Sequence, residues 1–199
     1  MEAPSYPWYQ LVTGSELQQG DILLEVPRFV FPPETLQVVG QAFQTGEGLE
    51  PPATFSSQVA GGDAIILTQS CDLAIRATGR SRARDVMLCP LYTKVAYEQA
   101  GDQKYSKDSW WEEVRTGKHV YHHALNKCSL PGLEIDFMVV DLGDAFTLSV
   151  ELVRSFATAR SPRARLLPPY REHLAQAFAR LFMRVGLPTD IPPFGKKKS

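Results

Sequence analysis

The chain has 199 residues, 44% of them hydrophobic and 22% charged, with 21 basic against 22 acidic side chains and a formal net charge of -1. The length fits one domain with appendages or two small ones. The composition excludes wholesale disorder, and the charge balance excludes a strongly basic nucleic-acid-coating protein but not a local basic patch.

In chain order, residues 15–21 read as a turn and 22–26 as a strand stopped by Pro27. A long proline-rich insertion follows over 28–62, with Pro32-Pro33 and Pro51-Pro52, and 36–43 inside it reads as a short strand. Insertions of this length are usually functional or mobile. Residues 63–69 form a second strand, apolar enough to be buried on both faces, which runs into Ser70-Cys71-Asp72-Leu73. A loop with four arginines between 76 and 84 leads to a third strand, 85–92, ended near Pro90.

Helical character appears at 95–100 and again at 107–116, with Asp108 or Ser109 as N-cap and Gly117 past the end. Strands are expected at 120–121, 135–140 and 146–149, with a turn at Leu130-Pro131-Gly132. From 170 to 185, Leu174, Phe178, Leu181, Phe182 and Val185 mark one face of an amphipathic helix, opened by Pro168-Pro169 and stopped by Gly186. The end, 191–199, reads as a flexible tail.

Three cysteines are too few and too odd in number for a disulfide scaffold. No apolar run approaches the ~20 residues of a membrane span, and MEAPSYPWYQ lacks the regions of a signal peptide. The expectation is a reduced, cytoplasmic α+β domain over 1–190 that needs no cofactor. Charge is uneven: residues 151–199 hold ten Lys/Arg against three Asp/Glu. His173, Gln176, Arg180 and Arg184 form a stripe beside the apolar helix face. That stripe is either a solvated face or a surface for phosphates or an acidic partner.

The order strand, insertion, strand, loop, strand rests on three phrases: Gly20-Asp21-Ile22-Leu23-Leu24, then Ile65-Ile66-Leu67-Thr68-Gln69-Ser70, then Val86-Met87-Leu88-Cys89-Pro90-Leu91-Tyr92-Thr93. It resembles the core of the PemK/MazF toxin family. The resemblance implies a small SH3-like β-barrel, here with the insertion 28–62 and the C-terminal helix 170–185. Active members are endoribonucleases of bacterial toxin–antitoxin modules. Thr93 falls where that family's polar threonine would lie. The family's arginine before the second strand is missing, since the stretch reads Ala60-Gly61-Gly62-Asp63; Arg28 or Arg76 would have to replace it. Without that cation, phosphoryl cleavage lacks its electrostatic term. The helix at 170–188 and the phrase at 68–73 are also similar to uncharacterised bacterial proteins of this type.

Three functions follow as expectations. The first is a non-catalytic PemK/MazF-like adaptor or regulatory component of a toxin–antitoxin or phage-defence module, binding a protein partner or RNA, with no membrane. The second is an endoribonuclease with Thr93, Asp72 and Arg76 at its active rim and Arg180 and Arg184 on phosphates. The third is a cysteine hydrolase built on Cys71. Its Gln-Ser-Cys phrase resembles the caspase-like proteases, but the first histidine, His119, lies downstream instead of upstream. A pairing of Cys71 with His122 or His123 in space stays open beside a buried, inert cysteine. Asp72 is either paired with a nearby arginine or a ligand contact.

His119, His122 and His123 lack the glutamate of a HExxH site. On a helix, 119 and 123 would share a face and could hold zinc. On a strand, which Val120-Tyr121 favours, 119, 121 and 123 share a face and 122 points away, and Cys128 and Asp136 could complete a metal set. The alternative is hydrogen-bonded histidines with no metal. Trp110-Trp111, with Trp8, Tyr6 and Tyr9, is aromatic mass outside the expected strands; the tryptophan pair offers either an exposed indole anchor or two rings packed under the N-terminal segment.

Overall fold

The two apolar runs become the centre of the fold in the computed structural model, which describes residues 6–45 and 57–183. The elements are β1 (Tyr9–Val12), β2 (Ile22–Val30), α1 (Pro33–Thr45), β3 (Gln58–Ile66), α2 (Ser70–Leu73), β4 (Asp85–Thr93), α3 (Lys94–Gln99) and α4 (Asp108–Arg115). After these come β5 (His122–Leu125), β6 (Cys128–Leu130), β7 (Leu133–Ile135), β8 (Met138–Asp141), β9 (Phe146–Ser149), α5 (Val150–Ala159), β10 (Arg163–Leu166) and α6 (Tyr170–Phe182).

The fold is mixed α/β with antiparallel sheets. The main sheet runs β2-β3-β4-β8-β5, with β9 also on β4; β1-β10 and β6-β7 are separate pairs. It opens at β2 and β5, so the described strands close no barrel, and the expected SH3-like closure is not found among them. β4 is the axis: β3 lies on one side, while β9 takes residues 85–88 and β8 residues 91–93 on the other.

Both faces are buried where the apolar runs meet, at residues 22–23 of β2, 64–66 of β3 and 88–91 of β4, whereas residues 58–62 of β3 and Phe29 and Val30 of β2 are exposed. Ile22, Ile65, Cys89 and Leu91 pack with Tyr9, Ala164, Leu166, Leu174 and Ala177, so β1, β10 and α6 cover that face. Leu23, Ala64, Ile66, Val86 and Leu88 pack with Leu148, Val153 and Ala157 under α5. Further along, Tyr97, Trp110 and Val114 close over Val139.

Several boundaries differ from the expectations. Pro27 does not stop β2, which continues to Val30. It sits on the end strand of the sheet, where its missing N–H costs no ladder bond. Pro90 lies inside β4, facing the gap where β9 has ended and β8 has not begun. The stretch 28–62 is not a continuous loop, because residues 26–30 of β2 pair with 58–62 of β3. The strand expected at 36–43 is part of α1, which Pro33 opens with its φ already helical and no N–H to satisfy. Residue 107, not 108 or 109, caps α4, and β5 starts at His122 instead of 120. Of the helix expected over 170–185, residues 170–182 form α6. The remainder, including Arg184, and the tail at 191–199 lie outside the described residues.

Candidate functional site

β5 is the last strand of the main sheet, so its side chains reach both faces at an open edge. His123 and Leu125 point to the α6 side, and Leu125 joins the core there. His122 and Ala124 point to the other, where the His122 ring meets Tyr97 and Trp110 edge-on, with centroids 5.6 and 5.1 Å apart. α6 lies across that edge. It buries Leu174 and Ala177 and leaves His173, Gln176 and Arg180 exposed along its flank.

Between them runs a cleft of two lobes, each about 300 Å³. Gly117, His123 and Arg180 line both lobes. The first adds Lys118, His119, His122 and Met183. The second adds Trp8, Tyr170, His173, Gln176 and Arg115. No carboxylate lines either lobe. Arg115 is held by Glu112 through two bonds of 2.8 and 2.6 Å. Lys118 and Arg180 form no ion pair among the described residues. These two cations leave the wall positive although Arg115 is neutralised, and such a wall attracts an anion.

The histidines divide their work differently from the expectation of a shared 119/123 face. His119 lies just ahead of the bend at 120–121 that leads into β5, and its Nδ1 sits 2.8 Å from Nδ1 of His122, so one ring donates and the other accepts. Burial lowers the His119 pKa. For His122, burial and then the neighbouring His119 lower it to about 4. His123 falls to about 4 as well, through burial first and then the neighbouring His173 and Arg180. At neutral pH all three therefore offer neutral imidazoles. Among the described residues no group of three or more His, Cys, Asp or Glu is placed to hold a metal. Cys128 donates to the carbonyl of Leu133 at 3.8 Å, and Asp136 accepts from the Phe137 amide.

The toxin-like rim does not assemble. The Ala83 amide bonds the Asp72 carbonyl, which keeps α2 beside the Asp85 end of β4, and Thr93 is the other end of that strand. With ~3.3 Å of rise per residue, the two ends lie roughly 26 Å apart. Thr93 Oγ1 caps α3 by accepting from the Ala96 amide. Asp72 faces Arg82 at 3.6 Å, and the Arg76 amide closes a turn onto Arg80. Arg28, the other replacement cation, is bound bidentately by Asp144 at 2.5 and 2.6 Å. Thr68, Ser70 and Gln19 tie strand ends together through the Met87 amide, the Gln19 amide and the Leu67 carbonyl.

Cys71 is exposed, and its Sγ contacts Gln69 Oε1 at 3.7 Å; the cleft that gathers the histidines does not include it. Cys89 is buried, with its thiol pushed up to about 12 by that burial. Ellman's reagent is therefore expected to titrate Cys71 alone in the native protein and all three thiols after unfolding. A second fast thiol would contradict the burial of Cys89 and Cys128.

Both indoles of the Trp110-Trp111 pair are packed. Trp110 is buried, and Trp111 donates Nε1–H to the Tyr105 carbonyl at 2.8 Å while packing near Phe137. Of the residues singled out in the sequence, His119, His122, His123, His173, Gln176 and Arg180 meet in the cleft. Trp8, noted only as aromatic mass outside the strands, lies there too, while Lys118 and Tyr170 were not indicated by any local signal. Neither a protein-family model nor a curated protein matches the chain.

Proposed function

We propose that the protein is a non-catalytic, phosphate-binding adaptor or regulatory component of a bacterial toxin–antitoxin or phage-defence module, acting in the cytoplasm, whose α6–β5 cleft holds the phosphates of single-stranded RNA. The carboxylate-free cationic lining carries this reading, with Arg180 and Lys118 unpaired among the described residues. The kinship with the PemK/MazF family rests on β2, β3 and β4; on this reading its SH3-like barrel is opened between β2 and β5. The adaptor role is favoured over ribonuclease because Thr93, Asp72 and Arg76 do not share a site and Arg28 is neutralised by Asp144. No helix among the described residues is long and apolar enough to cross a membrane.

The test is a titration of single-stranded RNA at two salt concentrations, with the samples also run on a denaturing gel. Each lost phosphate contact flattens the plot of log affinity against log salt by about 0.7. Arg180→Glu and Lys118→Glu are each expected to weaken binding about tenfold at low salt and to flatten that plot, with no cleavage products. Unchanged affinity in both variants would remove the cleft from the reading. Cleavage that Thr93→Ala abolishes would replace the adaptor by a toxin-like ribonuclease.

A further inference from the structure

The two lobes of the cleft are chemically unlike, and the difference specifies a ligand. In the second lobe, Trp8 and Tyr170 form a stacked pair, with centroids 3.7 Å apart and planes 11° from parallel. The pair is anchored: Leu167 donates its amide to the Trp8 carbonyl at 2.8 Å, and Tyr170 Oη donates to the Tyr6 carbonyl at 3.3 Å. Both rings are half-buried and line the lobe beside Gln176. An anchored aromatic wall gives a flat ring a surface to stack on at little entropic cost, and a neighbouring amide can both donate to and accept from the edge of that ring. The cationic Arg180 and the imidazole of His123 stand where this lobe meets the first. The first lobe has no aromatic platform and continues with Lys118.

We infer that the cleft binds a nucleoside phosphate unit, with its base on the Trp8–Tyr170 wall beside Gln176 and its phosphate at the junction between Arg180 and His123. This rests on the phosphate reading above and adds what that reading lacks, a requirement for an unpaired base. A double helix, whose bases are stacked on one another, cannot offer one. The same chemistry belongs to a free nucleotide and to one residue of a single strand, so both are tested.

The experiment compares a single-stranded octanucleotide with an abasic octamer of identical phosphate count, using the quenching of tryptophan fluorescence and a competition assay. A nucleoside 5′-monophosphate and inorganic phosphate are run alongside. Stacking of a base on an aromatic side chain typically changes affinity by about tenfold or more. The native protein is expected to prefer the normal octamer over the abasic one by about tenfold, and Trp8→Leu to abolish that preference. Trp8→Phe, which keeps a flat ring, is expected to retain most of it. Gln176→Ala, at an exposed position, is expected to reduce the preference without affecting the fold. A monophosphate bound with the same Trp8 dependence assigns a free nucleotide, and one that fails to compete assigns the strand.

Equal affinity for normal and abasic octamers would overturn the base platform and leave the phosphate reading standing. Failure of both octamers and of inorganic phosphate to bind would overturn the two together.

Discussion

Asp21→Asn is expected to cost about 3–5 kcal/mol of folding stability, the range for breaking a buried ion pair by removing one partner. Asp21 is fully buried, as are nearly all of Arg163 and Arg165 from β10. Its carboxylate accepts from Arg163 Nε at 3.0 Å, from Arg165 Nε at 2.5 Å and Nη2 at 3.0 Å, and from the Gln18 amide at 3.2 Å. Backbone carbonyls take further guanidinium donors: Arg163 bonds those of Gly14, at 2.8 Å, and Glu16, and Arg165 also bonds Glu16. One anion thus offsets part of the charge of two buried cations, and an uncharged amide would leave both without an anionic partner. Urea unfolding is expected to show the loss directly, with Tm lower by on the order of 10 °C. A loss under 1 kcal/mol would mean that the two arginines reach solvent in solution. Replacing all three by apolar residues of similar volume is expected to recover part of the stability, but not all, since the Gly14 and Glu16 carbonyls lose their donors.

That cluster bears on the cleft. β10 pairs with β1 and packs Ala164 and Leu166 against Leu174 and Ala177 of α6, so Asp21 supports the layer that carries His173, Gln176 and Arg180. The approach is tight enough to require glycine next door. Gly20 has φ +85°, and a Cβ there would lie 2.9 Å from Leu166 Cβ. The bridge Asp21↔Arg165 and the bond from the Leu166 amide to the Gly20 carbonyl close the same seam. The dipeptide Gly20-Asp21 is thus a joint between two sheets, and the first strand of the main sheet begins immediately after it.

This joint shows where sequence reasoning stops. The runs 63–69 and 85–92 announce buried strands because no polar residue interrupts their apolar faces, and α6 announces itself through a 3.6-residue period. Arg163-Ala164-Arg165-Leu166 gives the opposite signal, two charges in four residues, and is nevertheless buried. Its neutralising partner stands 142 and 144 residues away and cannot be seen locally. Pro27 and Pro90 mislead for a related reason: a proline is tolerated wherever a neighbouring strand is absent, and that depends on the whole sheet. α1 was masked by the Val38-Val39 pair, which favours a strand by propensity, although Pro33 and Glu34 provide a helix start. For the site, the helical stripe was legible as one wall. The opposite wall comes from Arg115 to His123, and only the packing of α6 across the sheet edge turns two half-surfaces into a cleft.

Acid is expected to weaken the native protein through the same histidines. The folded pKa of His123 is near 4, against 6.5 for an exposed imidazole, so between those values the unfolded chain binds the additional proton. Stability is therefore full above about 6.5 and falls as the pH drops toward 4, by on the order of 3 kcal/mol for His123. His122 contributes in the same direction with a smaller effect, because water reaches its ring and screens the charge. Protonating both His119 and His122 would also set two N–H groups against each other across 2.8 Å. Asp141, whose pKa is raised by burial, opposes the trend, since its folded form holds a proton more readily. Urea titrations at pH 7.5 and 4.5 are expected to show His123→Phe losing less stability on acidification than the native protein. Equal losses would mean that His123 is hydrated in solution. A bound phosphate reverses the balance at this position, because an anion at the junction of the lobes favours the imidazolium that burial disfavours. Affinity for the octanucleotide is then expected to rise as the pH falls from 7.5 to 5.5, and this rise should shrink in His123→Phe, where the other cleft imidazoles and Arg180 still face the ligand. Binding that does not respond to pH would place the phosphate away from His123, against Lys118 in the first lobe.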